Sequence, residues 1–291
     1  MQRDIEDIEF SIFDTETTGL DPEGGDRIVE IAAVRVKGPD RIAVFQSLIN
    51  PRRAVSEAAF EVNRISEDML GDAPLAEEVI PRFLEFTKNS CLCSYNAPFD
   101  LGFLNNEIRT VVRAGDKAGS FLTEIPFSSS GAAEEEVVID ILKMAKRLLP
   151  GIPRYALWFV AQQLGVQIEQ KHRAFSDVEL TQAVFFKFKE MLRKKRITDF
   201  MSFSSLFGVG PEFLDNVVSQ RIAKLQEALD LGARVKLRYL SSSTAIVTER
   251  EVMPKQIRQE RKRNYLVGYC CLRKEERAFR VDNILSIELL R

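Results

Sequence analysis

The chain has 291 residues, of which 45% are hydrophobic and 29% charged, with a net charge of −2. That length leaves room for two domains, and the composition excludes collagen-like, low-complexity and disordered classes. The acidic start, Met1 to Asp7, lacks the apolar stretch of a signal peptide. No apolar run approaches the roughly 18 residues of a membrane-spanning helix, so no membrane partner is expected.

The first apolar run, Phe10-Ser11-Ile12-Phe13, reads as a buried β-strand, and Asp14-Thr15-Glu16-Thr17-Thr18-Gly19 follows it. Residues two apart on a strand share a face, so Asp14 and Glu16 project together at its end. Two carboxylates this close repel each other and lose hydration; a hard divalent cation, Mg²⁺ or Mn²⁺, would offset that cost. Ile28 to Val36 and Ile42 to Ile49 are further strands of an antiparallel meander. Glu57 to Leu70 and Ala76 to Thr87 have helical periodicity. Cys91 to Tyr95 is a short inner strand, with a helix from about Pro98 to Val112 and Asp100 in its first turn.

Residues 114–136, rich in Gly, Ser and Glu, read as a surface loop. Val137 to Leu149 and Tyr155 to Leu164 read as helices separated by Pro150-Gly151-Ile152-Pro153. His172, the chain's one histidine, precedes Asp177 by five residues. Ser176-Asp177-Val178-Glu179 has the form of a capping box opening the last helix of this part. Taken singly, Asp100 and Asp177 are also what a helix start favours electrostatically. The cysteines form two tight pairs, Cys91/Cys93 and Cys270/Cys271. These read as reduced thiols of a cytoplasmic protein rather than a disulfide framework or zinc site.

In this order, D-x-E on a first strand, N-A-P-F-D after an inner strand and H-x4-D at a helix start resemble the DEDDh (DnaQ-like) 3′–5′ exonucleases. That family includes the epsilon proofreading subunit of bacterial DNA polymerase III. The match runs from about Phe10 to Arg193, with supporting segments Ile28 to Val34, Asn50-Pro51, Asp72-Ala73-Pro74, Phe103-Leu104-Asn105 and Val138-Ile139-Asp140.

The resemblance implies an α/β, RNase H-like fold around a five-stranded mixed sheet with flanking helices. It implies that Asp14, Glu16, Asp100 and Asp177 hold two divalent cations and that His172 is the general base. Two cations would activate water and neutralise the phosphoryl and departing oxygens. Histidine's ordinary pKa of about 6.5 suits proton acceptance near neutrality. The product would be a nucleoside 5′-monophosphate released from the 3′ end.

Thr15 and Thr17, in the segment that turns the chain past the site, would contact the terminal nucleotide. Phe99 and Phe103 would stack on bases or pack against the sheet. Glu30 would support the site from behind, and Asp140 would do the same or cap a helix. The chain departs from the common family pattern at Asn63-Arg64-Ile65, where many members have His-Gly-Ile, and at Tyr95, where many have His; substrate contacts near the 3′ terminus are affected.

Beyond a connector with a helix at Ile222 to Leu231, the character changes. From Ala233 onward there are 14 Lys and Arg against 7 Asp and Glu, which suits contact with a polyanion. Val235 to Leu240, Ala245 to Val252, Tyr265 to Cys271, Ala278 to Val281 and Ile284 to Leu290 read as short strands of a small barrel. Residues 234–291 resemble a WYL domain, with Asn264 in place of its name-giving tryptophan. The resemblance implies an Sm-like β-barrel that binds nucleic acid or a nucleotide ligand. Arg261, Lys262 and Arg263 beside Tyr265 supply charge next to an aromatic, and read equally as a polar hairpin tip. Arg277 and Arg280 flank Phe279, are read as sharing the face opposite to it, and are the stronger ligand contacts.

The domains expected are a nuclease over residues 1–197, a connector over 198–231 and a WYL-like domain over 232–291. The expected function is metal-dependent 3′–5′ hydrolysis, of DNA in preference to RNA, by a protein acting alone. The alternatives are a nucleic-acid-binding regulator with little turnover and a proofreading subunit of a polymerase complex.

Overall fold

The computed structural model describes residues 3–114, 137–167, 173–209, 211–261 and 263–290. In chain order the first part contains β1 (Glu9–Thr17), β2 (Ile28–Lys37), β3 (Asp40–Leu48), α1 (Glu57–Asn63), α2 (Glu67–Gly71), α3 (Ala76–Thr87), β4 (Cys91–Ser94), α4 (Ala97–Ala114), β5 (Val138–Asp140), α5 (Ile141–Leu148), α6 (Leu157–Gln163) and α7 (Ala174–Lys194). Then follow α8 (Phe200–Phe207), β6 (Gly208–Val209) and α9 (Pro211–Asp230). The strands form one mixed sheet in the order β3-β2-β1-β4-β5-β6. β1 runs antiparallel to β2 and parallel to β4, and β4 runs parallel to β5.

Alternation along β1 decides what each face of the sheet does. Phe10 and Ile12 pack into the cluster built with Val178, Phe185 and Phe188 of α7 and with Phe203 and Phe207 of α8. Phe13 points the other way, against Phe83 of α3 and Phe103 and Leu104 of α4. Phe10 meets Phe185 edge-on, with centroids 5.1 Å apart, a geometry that adds to the area both rings bury. Asp14 and Glu16 continue the Phe10/Ile12 face, so they project where α7 begins.

Several elements differ from the sequence reading. Glu57 to Leu70 is two helices, because Arg64 takes a left-handed conformation (φ 58°) and the Asn63 side chain accepts the Ile65 N–H at 3.0 Å. Val138 to Asp140 is a parallel strand against β4, and only from Ile141 does a helix run. α7 begins at Ala174 with Arg173 as its N-cap, so Ser176 lies inside the first turn and no capping box forms there. The sheet has a sixth strand, the two-residue β6, contributed by the connector. The connector is itself mostly helical, α9 beginning at Pro211 rather than Ile222. The surface loop expected at 114–136 lies almost wholly outside the described residues. Cys91, Cys93, Cys270 and Cys271 are all free thiols.

The C-terminal part holds β7 (Arg234–Leu240), β8 (Val247–Glu260), β9 (Arg263–Cys270), β10 (Glu275–Arg280) and β11 (Ile284–Leu290). They form an antiparallel sheet in the order β10-β9-β8-β7-β11, with a register shift in β8 at Pro254/Gln256 that bends the long strand. Leu225 and Ala228 of α9 pack with Val235, Leu237, Leu266 and Phe279 in a core of its own. Leu240 and Leu285, by contrast, belong to the same apolar cluster as Phe10 and Phe185.

Polar contacts fasten this junction. Asp282 pairs with Arg280 of its own domain and, at 2.8 Å, with Arg147 of α5, which also donates to Asn283. Arg238 donates to the carbonyls of Lys195 and Arg196. No helix among the described residues is long and apolar enough to cross a membrane.

Candidate active site

Asp14 and Glu16 leave β1 on one face, and the first turn of α7 brings Asp177 to meet them. Carboxylate oxygens of these three all lie within 4.8 Å of one another. Asp100, in the first turn of α4, is buried beside them. Its Oδ1 accepts from the Thr15 N–H (3.1 Å) and hydroxyl (2.7 Å), and its Oδ2 accepts from Ser94 Oγ at 2.5 Å.

Burial and mutual repulsion set the protonation of this group. Asp14 is held well above the carboxylate range by burial first, then by Asp100, Glu16 and Asp177. Burial, then Asp177 and Glu30, pushes Glu16 up to about 8. Burial raises Asp100 only to about 6, because the Ser94 and Thr15 bonds favour its charged form. Clustered oxygen donors that repel one another when ionised, with no nitrogen or sulfur among them, fit a hard divalent cation.

Behind the acids stands Glu30 on β2, directly opposite Glu16 in the β1–β2 register. Burial pushes its carboxyl up, but bonds from Arg173, Gln46 and the Ala174 N–H outweigh that and lower it. Arg173 grips it with two bonds, Nε to Oε2 at 2.9 Å and Nη2 to Oε1 at 2.8 Å. The clamp joins the start of α7 to β2 and so fixes the register of Asp177 against Asp14 and Glu16. The sequence identified Glu30; its partner Arg173 was missed, as was Ser94.

Glu107 of α4 was also missed. It is buried, takes two bonds from Arg27 at 2.7 and 2.6 Å, and accepts the Ile28 N–H, closing the loop after β1 onto α4. Its helical spacing from Asp100 and Phe103 was the available signal. A Cβ on Gly19 in that loop would lie 2.2 Å from the Asp26 carboxylate, so a side chain there would have to displace Asp26 from its bonds to Thr18 and Asp21. Asn63 is buried and donates to the Thr17 carbonyl at 3.3 Å. Tyr95 donates its hydroxyl to the Tyr155 carbonyl. Asp140 caps α5, accepting the Leu142 N–H.

The remaining candidates are scattered. His172 and Lys262 lie outside the described residues. The Thr15 hydroxyl is turned inward to Asp100, and that of Thr17 to the Gly19 carbonyl at 2.6 Å. Phe103 is 1% exposed and packs under Phe99, so its ring belongs to the core and only Phe99 has an accessible edge. Arg261 and Arg263 are exposed and line an open hollow with Glu260 and Tyr265. Arg277 and Arg280 do not share a face: three residues apart on a strand, they point oppositely. Arg277 is exposed near Glu275, while Arg280 is half-buried on Asp282. Much of the basic charge of this sheet is paired locally, as in Lys236–Glu249 and Lys255–Glu276.

The profile of the family described as Exonuclease matches residues 11–185, more than half of the chain, and that of the WYL domain matches residues 220–289. The chain therefore belongs to the exonuclease family, and its C-terminal part matches the WYL domain. A DNA polymerase III PolC-type protein of Thermotoga maritima is 36% identical over 192 residues, covering 66% of this chain but 13% of that protein. The chain thus spans a small fraction of the curated relatives it matches.

Two solved structures share the fold. The nuclease domain of 3′hExo, a DEDDh family member bound to rAMP, has a TM-score of 0.52 at 18% identity, covering 67% of this chain and 97% of that one. A zinc-bound complex of Escherichia coli ExoI with single-stranded DNA has a TM-score of 0.54 at 16% identity, covering 90% and 55%.

Proposed function

We propose that this chain is a metal-dependent 3′–5′ exonuclease of the cytoplasm that hydrolyses single-stranded DNA, in preference to RNA, to nucleoside 5′-monophosphates. The observation that carries the reading is the convergence of Asp14, Glu16 and Asp177 within 4.8 Å, beside a buried Asp100. A pure binder of nucleic acid gains nothing from clustered carboxylates facing a polyanion.

In this reading Asp14, Glu16, Asp100 and Asp177 hold two divalent cations, Mg²⁺ or Mn²⁺. When bound, the cations supply the positive charge that hydrolysis of an anionic diester requires. Thr15 and Ser94 orient Asp100 and favour its ionised form. Glu30 and Arg173 hold the start of α7. Glu16, protonated to about pH 8 without cations, gives up its proton when the site is loaded. His172 accepts the proton of the attacking water. The backbone of Thr15 and Thr17 and the edge of Phe99 face the terminal nucleotide. Residues 1–197, completed by α8 and β6, form the nuclease, and 232–291 a unit that holds nucleic acid or a nucleotide through Arg261, Lys262, Arg263 and Arg277, with Arg280 held on Asp282, raising the local concentration of substrate.

The test is degradation of 3′-labelled and 5′-labelled single-stranded DNA and RNA with Mn²⁺ or with EDTA, beside Asp14→Ala. Metal-dependent release of mononucleotides from the 3′ end, absent in the variant, is expected. Binding without turnover would favour a regulator instead. The PolC similarity favours a second reading, proofreading beside a polymerase; faster removal of a mismatched than a matched primer end in the presence of a polymerase would select it.

A further inference from the structure

Trp158 is the chain's one tryptophan, and it is 45% exposed at the start of α6. Little core burial explains it there. The Arg154 guanidinium lies 5.7 Å from its ring centroid and 5.8 Å from that of Phe159, and the indole meets Phe159 edge-on at 5.5 Å. Arg154 and Trp158 are both exposed, so guanidinium and indole together offer solvent a cationic, aromatic surface.

That surface is tethered to the acid cluster. The Tyr155 hydroxyl donates to the Leu149 carbonyl at 2.9 Å, and the Tyr155 carbonyl accepts from Tyr95 at 2.7 Å. Tyr95 follows Ser94, which bonds Asp100. α6 also packs against α7, whose first turn carries Asp177. Asn96 and Pro98, between Tyr95 and Asp100, are exposed.

We propose that Arg154 and Trp158 form a stacking subsite for a nucleobase of the single strand, upstream of the 3′ nucleotide held at the acids. Every base has a π-face, so such a subsite tolerates any sequence, and the guanidinium adds attraction for the phosphates beside it. It lies on the nuclease domain and owes nothing to the C-terminal sheet. The inference rests on the nuclease reading above.

A single tryptophan makes the test direct. The full chain is titrated in EDTA with unlabelled oligodeoxynucleotides while Trp158 emission is followed. Parallel samples follow the anisotropy of a 5′-labelled oligonucleotide, and degradation is measured separately with Mn²⁺. Emission is expected to fall along the same isotherm as anisotropy rises for a long oligonucleotide, and to stay constant with a mononucleotide. Trp158→Ala should weaken binding by roughly five- to 150-fold, the span of one base–aromatic stack, and Trp158→Phe should recover most of it. Trp158 is exposed, so both variants should keep the parent Tm.

Saturable anisotropy with unchanged emission, and a Trp158→Ala Kd within about twofold of the parent, would overturn the subsite while metal-dependent degradation still upheld the nuclease. Absence of binding and degradation alike would overturn both.

Discussion

Two buried charge clusters of opposite sign lie among the described residues, and they are resolved in opposite ways. At the nuclease site four carboxylates converge, and Arg173 beside them is already gripped by Glu30. At the domain junction Lys143, Arg147, Arg221 and Arg280 surround Asp282. There protein oxygens answer each cation. Lys143 donates to the Gly208 carbonyl, Arg147 meets Asp282 and Asn283, and Arg221 meets Ser205. A cluster satisfied from within holds parts together, whereas one left repelling itself is poised for something from outside.

The largest expected effect breaks the first cluster. Asp14→Ala or Asp177→Ala should abolish hydrolysis, read by mononucleotide release, with Tm equal to or above the metal-free parent because a repelling charge is gone. Breaking the second cluster should do the reverse. Asp282→Ala leaves Arg147 without its carboxylate and should cost about 2 kcal/mol in denaturant unfolding, discounted from the 3–5 of a fully buried pair because Asp282 is partly exposed.

Titration sharpens the contrast. Glu16 stays protonated in the fold up to about pH 8 but ionises from about 4.5 when unfolded. In that window the unfolded chain binds fewer protons, so metal-free stability falls as pH rises. Mn²⁺ should therefore raise Tm far more at pH 8 than at pH 5. Lys143 behaves oppositely. Burial first, then Arg147, lowers it to about 8 from 10.5, so the unfolded chain binds more protons between those values and stability rises with pH. Lys143→Met should remove that slope, at most about 1.4 kcal/mol per pH unit. Smallest is Arg277→Glu, which should weaken nucleic-acid binding modestly and reduce its salt slope by about one; an unchanged slope would count against the C-terminal face as a contact.

The carboxylate set was readable because strand alternation is a local rule: Asp14 and Glu16 share a face whatever surrounds them. Asp100 and Asp177 became legible only through their order along the chain, since either alone is an ordinary helix-start acid. What escaped depends on distant partners. Val138 to Asp140 is too short to show strand periodicity and is a strand only because β4 lies beside it. β6 needs β5 in the same way. Arg173 and Glu30, or Arg147 and Asp282, are more than 130 residues apart, and no spacing rule reaches that far. Arg277 and Arg280 were misread for a simpler reason, a three-residue interval applied to a two-residue repeat.

Leu285 on β11 shares one apolar cluster with Phe10 on β1. The first and last strands described thus contribute to a single core. Leu240 and Leu285 therefore cover one flank of the core beneath the sheet that carries the acids. A chain cut short after α9 would inherit that flank permanently, as a sticky apolar surface. The C-terminal sheet is thus a cover for the nuclease core as well as an appendage to it, and the nuclease part alone should stick to its own copies.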